Sequence, residues 1–247
     1  MSRSKRSAPE NSLLAGLPEH SGRRMLADCE LIQLDFAQAL SVPGEPISHV
    51  YFPLDSFISL VTVLDDGARL EVGMVGSEGM LGTSLVLGVD ISPQHALVQG
   101  AGTALRMSKA AFLSQCSQSG ALRQAVYRYI YVLMSQLAQT AACSHYHLIE
   151  VRLARWLLLT RDRARSNRFR LTHEFLAFML GVRRVGITEA ASALQRRGLI
   201  DYRRGWIAIL DGTGLEKASC RCYLQSNAIY DRAMEAPRRR PERSSRS

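Results

Sequence analysis

Residues 171–200 read LTHEFLAFMLGVRRVGITEAASALQRRGLI, and Gly181 divides them into two helical patterns. Thr172 is an N-cap residue, whose oxygen can accept from a free N–H of a first helical turn. The helix it opens runs through Leu180, with Phe175, Leu176 and Met179 as its buried stripe. Gly181 lacks a Cβ, can take positive φ and supplies a tight turn. The second helix spans about 183–197 and buries Ile187, Ala190, Ala191 and Leu194. Two short helices joined in this way form the motif whose second helix enters the major groove of duplex DNA.

The side chains at the start of that second helix suit such a partner. Arg183 and Arg184 carry planar forks of donors that match guanine or phosphate. Thr188 and Glu189 lie about one turn further along the same side. For each of these, base readout stands beside phosphate contact or plain solvation. Thr172 and His173, where the first helix begins, are grouped with them as DNA-binding residues. Residues 199–211, LIDYRRGWIAILD, then place two short β-patterns around Arg203-Arg204-Gly205. A hairpin tipped with arginines, directly after a recognition helix, reads as a wing that holds backbone phosphates. An ordinary hairpin is the alternative.

The charge distribution agrees. The net charge of +9 is uneven: residues 11–118 hold five basic and eleven acidic side chains, and residues 151–210 hold thirteen arginines and four acids. An acidic front half joined to an arginine-rich back half fits a sensing or scaffold domain attached to one that binds a polyanion. At 247 residues, 47% hydrophobic and 21% charged, the chain has the composition of a globular protein with two modest cores. No apolar run approaches the ~20 residues needed to cross a bilayer. The stretch MSRSKRSAPENS at 1–12 has no apolar segment behind its charges. The expectation is a cytoplasmic protein with no membrane partner.

Working outward, residues 30–107 show short β-branched and aromatic runs between Gly, Pro and Asp clusters. In SFISLVTVLDDGARLEVGMV, at 56–75, Asp66-Gly67 marks a hairpin turn. Another strand pair is expected at 96–99 and 103–107. Antiparallel strands at this spacing imply a sandwich, roll or barrel. From 119 to 146 the period becomes helical, with Val126, Ile130, Leu133, Leu137 and Thr140 at alternating spacings of four and three. Such a seam suits pairing with a second copy, and burial within one chain is the alternative. A further helix at 147–163 carries Arg152, Arg155, Arg161 and Arg163, with Arg165 just beyond, read as solvated or near phosphate. Residues 1–12 and 235–247 are Ser-, Pro- and Arg-rich and are expected to be disordered.

The rival class is an enzyme, and the residues argue against it. There is no Ser/His/Asp order and no phosphate-cradling Gly-Lys loop, so no catalytic residue is assigned. The five cysteines are Cys29, Cys116, Cys143, Cys220 and Cys222, without CxxC spacing. Cys143 with His145 and His147, and the Cys220/Cys222 pair, are the metal or redox candidates. The reading favours reduced thiols with no metal.

The order of strands, long helix, helix-turn-helix and wing resembles the cyclic-AMP receptor protein and fumarate-nitrate regulator (Crp/Fnr) family over about residues 13–233. VYFPLDSFISLV, EVGMVGSEGMLG and LTHEFLAFMLGVRRVGITEAASALQRRGLI carry the likeness. The resemblance implies an α+β chain: an N-terminal antiparallel β-roll of the cyclic-nucleotide-binding, double-stranded β-helix or jelly-roll kind at 13–118, a long dimerisation helix at 119–146, and a C-terminal winged helix-turn-helix at 147–234. It implies a homodimer on a palindromic operator, with RNA polymerase and a small-molecule effector as further partners. Where the family commonly has a glutamate after the arginine of its recognition helix, this chain has Val185 after Arg184, so a departed half-site is expected. Gly76, Ser77, Glu78 and Gly79 match the family's ribose-binding segment. VLGVDISPQHALVQGAG, at 86–102, holds no arginine to pair with a cyclic phosphate. A cyclic nucleotide is therefore disfavoured and no cofactor is assigned. With Cys29 alone near the N-terminus, the iron–sulfur form is disfavoured too. A ligand- or partner-binding scaffold without specific DNA readout remains the alternative function.

Overall fold

A computed structural model describes residues 10–235. In chain order the elements are α1 (Ser12–Ala15), α2 (Glu19–Ala27), β1 (Glu30–Leu34), β2 (Ala39–Ser41), β3 (His49–Pro53), β4 (Phe57–Val63), β5 (Arg69–Val75), a 3-10 turn at Thr83–Leu87, β6 (His95–Gly100), β7 (Gly102–Ser108) and α3 (Lys109–Gln118). Then follow α4 (Gly120–Tyr146), α5 (Ile149–Ala164), β8 (Arg168–Arg170), α6 (His173–Leu180), α7 (Arg184–Arg196), β9 (Ile200–Arg203), β10 (Trp206–Ile209), α8 (Gly212–Ala218) and α9 (Cys222–Met234). No described helix is long and apolar enough to cross a membrane.

The N-terminal strands form two antiparallel sheets, ordered β1-β7-β3 and β2-β6-β4-β5. The hairpin at Asp66-Gly67 joins β4 to β5 as expected, with Asp66 accepting from the Ala68 N–H (2.9 Å). The pair expected at 96–99 and 103–107 does form two strands, but they do not pair with each other. β6 lies between β2 and β4, and β7 lies between β1 and β3. The corner at Gly100–Gly102 carries the chain from one sheet to the other, which closes the roll.

Of the segment expected to be disordered, 1–12, the described residues 10–12 are ordered. Asn11 is buried: it caps α1 and its amide donates to Pro53 O (3.0 Å) and Gly79 O (2.8 Å), which ties the chain to the roll. Residues 1–9 and 236–247 lie outside the described residues, and Glu235 closes α9.

Ser119 caps α4 by accepting from the Leu122 N–H (3.2 Å). The seam expected to face a second copy is turned inward. Val126 is fully buried in the chain's own core, Ile130 and Leu133 pack against that core, Leu137 lies over Gly73 of β5, and Thr140 accepts from Arg155 (3.3 Å). A four-three repeat appears on any long helix covered along one side, whichever surface covers it. The exposed stripe is displaced by one residue: Tyr127, Tyr131 (60% exposed), Met134 (64%), Ala138, Ala141 and His145.

The C-terminal core is built on α5 and gathers Leu153, Trp156, Leu157, Leu176, Ile187, Leu194, Ile207 and Leu215. It runs on into the roll through Phe57, Val61 and Met74. Because α5 is covered by α7, α8, α9, α6 and β4, Arg152, Arg155 and Arg163 are only 9%, 8% and 6% exposed and not solvated as the sequence suggested. Arg163 donates to Met74 O (3.3 Å) and pairs with Glu78 (3.2 Å). α9 returns along α4, so residues 222–234 pack on the roll and the long helix as well as on the winged domain.

Candidate nucleic-acid interface

The helix-turn-helix forms as its residues predict. Thr172 caps α6 by accepting from the Phe175 N–H (3.1 Å). Gly181 sits at φ 60°, where a side chain would be strained and its Cβ would meet Leu70 at 2.9 Å. Arg183 is the N-cap of α7, whose inner face buries Ile187, Ala190, Ala191 and Leu194. Its outer face presents Arg184, Val185, Thr188, Glu189, Ser192 and Arg196 to solvent. Of these, Ser192 and Arg196 escaped the sequence reading. Their i+4 and i+8 spacing from Thr188 was the available signal.

The wing is a three-stranded sheet, β8-β10-β9, one strand more than the sequence suggested. Arg203 and Arg204 are exposed at its turn, with Arg204 at φ 51° and Arg203 3.0 Å from Asp201. Arg168 of the added strand stacks over the exposed Trp206 ring at 5.0 Å. The wing is held against the start of α6: Leu171 N donates to Gly205 O (2.8 Å).

His173 joins the three parts. Its ring stacks on Tyr202 of β9, with centroids 4.4 Å apart, and its Nδ1 lies 3.0 Å from Thr188 Oγ1. Partial burial and the Arg184 charge hold its pKa below the usual histidine value. His173 therefore acts first as a neutral support beneath α7, and Thr172 as a cap. Of the expected set, Thr172, Arg183, Arg184, Thr188, Glu189, Arg203 and Arg204 are exposed, and His173 is half-buried.

The segment expected to hold an effector is filled by the chain itself. Ser77 O accepts from Ser12 N (2.7 Å), Glu78 O from the Tyr230 hydroxyl (2.9 Å) and Gly79 O from Asn11. The Glu78 carboxylate pairs with Arg163 and accepts from Gly76 N (3.1 Å). A Cβ on Gly79 would fall 1.8 Å from the Tyr129 ring. These contacts correct the expectation of a pocket at Gly76, Ser77, Glu78 and Gly79: with its acceptors satisfied from within, the segment is a packing joint. A cavity of about 120 Å³ lies nearby between β2, the start of β3 and the 3-10 turn, lined by Ser41, His49, Thr83, Ser92 and Gln94 among others. It is small against the roughly 300–1,000 Å³ of ordinary ligand pockets and holds no arginine or lysine.

At the far end of α4, Cys143 and His147 meet Cys220 from the loop between α8 and α9 and Cys222 at the start of α9, and His145 points to solvent.

Residues 151–218 match the Crp-like helix-turn-helix domain family. Among solved structures, FixK2 from Bradyrhizobium japonicum superposes with a TM-score of 0.66 at 13% identity, over 78% of this chain and 98% of that one. The c-di-GMP-responsive global regulator CLP from Xanthomonas campestris gives 0.64 at 16%, over 78% of this chain and 100% of that one. A CRP-family transcriptional regulator from Thermus thermophilus gives 0.64 at 18%, over 76% and 96%. No curated protein is similar enough in sequence to match. Residues 151–218 are a Crp-like helix-turn-helix domain, carried on a chain with the fold of the Crp/Fnr transcriptional regulators.

Proposed function

We propose that the chain is a sequence-specific transcription regulator that binds a palindromic operator as a homodimer. The observation that carries this is the outward face of α7, where Arg184, Thr188 and Glu189 stand exposed beside a wing tipped by Arg203 and Arg204. α7 lies in the major groove, Arg183 and Arg184 meet guanine or phosphate, and the wing arginines hold backbone phosphates. Val185 offers the base edges an apolar methyl surface where the family commonly has a carboxylate, which favours contact with a thymine methyl over a cytosine amine.

The second copy is placed on the exposed stripe of α4. Tyr127, Tyr131, Met134, Ala138, Ala141 and His145 recur at spacings of four and three, the repeat of a two-helix seam. Two such helices packed along this face set the two α7 helices about one turn of DNA apart. Met134→Glu places a charge in that seam and is expected to give a monomer by sedimentation. An unchanged dimer would move the interface elsewhere. Effector control acts at the joint of α4 and α5 near 144–147, with a ligand other than a cyclic nucleotide, and RNA polymerase is the partner at promoters.

Selection of bound duplexes from a random pool, run with the wild type and Arg184→Ala, tests the reading. An enriched palindrome that relaxes at one position in the variant supports it. Binding with no sequence preference and no salt dependence favours the scaffold.

A further inference from the structure

Four potential ligands from two places in the sequence converge at the joint between the long helix and the winged domain. Cys143 and His147 lie one helical turn apart at the end of α4, with His147 as its C-cap, and Cys220 and Cys222 flank the turn before α9. Their ligating atoms all lie within 4.8 Å of one another. Cys143 Sγ is 3.6 Å from Cys220 Sγ and 3.4 Å from His147 Nδ1, and Cys222 Sγ is 3.8 Å from the same nitrogen. A tetrahedral zinc with Zn–S and Zn–N bonds of about 2.3 and 2.0 Å requires S···S edges of about 3.8 Å and S···N edges of about 3.5 Å. We propose that Cys143, His147, Cys220 and Cys222 form a structural Zn²⁺ site that fastens the end of the long helix to the loop closing the winged domain.

The surroundings support a metal over four loosely packed side chains. All three cysteines are buried, and His147 is partly so. Gln139 Nε2 donates to Cys222 Sγ (3.0 Å), the kind of outer contact that orients a thiolate ligand. Arg152 and Arg155, both on α5 beside Cys143, are buried, and among the described residues neither has a carboxylate within 4 Å. Arg155 Nε has no hydrogen-bond partner. A buried cation is costly without a counter-charge. Three thiolates and a neutral imidazole around a divalent ion leave one net negative charge, which these arginines can balance. On binding, the three thiols release their protons to solvent and each sulfur donates a lone pair to the metal, with no change of oxidation state. Thiolate-rich tetrahedral coordination selects zinc over magnesium or calcium, which take oxygen ligands. With all four positions filled by protein, the site is closed to substrate and its role is structural.

This inference does not depend on DNA readout, and its test measures metal. Full-length protein, purified reduced and without chelator, is expected to carry about one zinc per chain. After zinc removal, added Co²⁺ is expected to give the intense visible bands of a tetrahedral thiolate complex, bleached by Zn²⁺. Cys220→Ser and His147→Ala should lose the site, Gln139→Ala should weaken it about 10–100-fold, and Cys116→Ser, outside the cluster, should leave it intact. Because a buried-cysteine variant can fail to fold, the wild-type Co²⁺ spectrum decides. A weak octahedral spectrum, or reduced protein that binds no zinc in competition with a chromophoric chelator, overturns the proposal.

Discussion

The segment at 76–79 and the outer face of α7 are both short, polar and rich in hydrogen-bonding groups, yet the chain treats them oppositely. At 76–79 three carbonyls and the Glu78 carboxylate have partners within the protein, drawn from α1, α5 and α9. On α7, Arg184, Glu189 and Ser192 keep their side chains in solvent. A polar group already paired inside the fold contributes to stability, and one left unpaired at a surface is available to a partner. A family motif is therefore weaker evidence for a ligand than the state of its hydrogen bonds.

Substitutions can break this contrast. The largest effect is expected from Glu78→Ala, which strands the buried Arg163 guanidinium and should cost about 3–5 kcal/mol in denaturant unfolding, with the preferred DNA sequence of the surviving folded protein unchanged. Altered sequence preference at equal stability would return a ligand role to the segment.

Next is Glu71, buried between β5 and α5, where it accepts from Ser59 and from the Trp156 indole N–H (2.8 Å). Burial raises its pKa to about 7, opposed by those two donors and by Arg163 and Arg155. The raised value means that the native state holds a proton the unfolded chain has lost. Its stabilisation is thus full below the ordinary carboxyl pKa of about 4.5 and is lost as pH rises through about 7. The loss is on the order of 3 kcal/mol. Glu71→Gln should flatten the decline in stability between about pH 5 and 7. An equal decline in both proteins would place the titration elsewhere.

On the open side of the contrast, Arg184→Ala should cost about 1–3 kcal/mol at one operator position and leave the melting temperature unchanged. The smallest sequence-dependent effect is expected from Arg203→Ala with Arg204→Ala. This pair should weaken all duplexes alike and reduce the slope of log affinity against log salt by about two. A base-specific loss there would make the wing a reader.

Much of the candidate site was legible because it is local. Thr172, Gly181 and the four buried positions of α7 lie within two helices of one another, and capping, positive φ and helical period act over that range. β8 was not legible: three residues, Arg168–Arg170, carry no periodicity, and their strand exists only through pairing with β10. The supporting role of His173 was hidden for the same reason, since Tyr202 and Thr188 reach it from other elements.

The sequence by itself determined the antiparallel strand region, the long helix, the helix-turn-helix with its hairpin, and the division between an acidic front and an arginine-rich back. Tertiary structure alone decided which way α4 is turned, so that Val126 faces the roll and Tyr127 the solvent. It also decided that Arg152, Arg155 and Arg163 lie inside, and that Cys143 and His147 meet Cys220 and Cys222. Helical period shows that a face is apolar but not what covers it, and no local rule relates side chains more than seventy residues apart. Both are settled when α5 and α9 pack against the long helix and the roll.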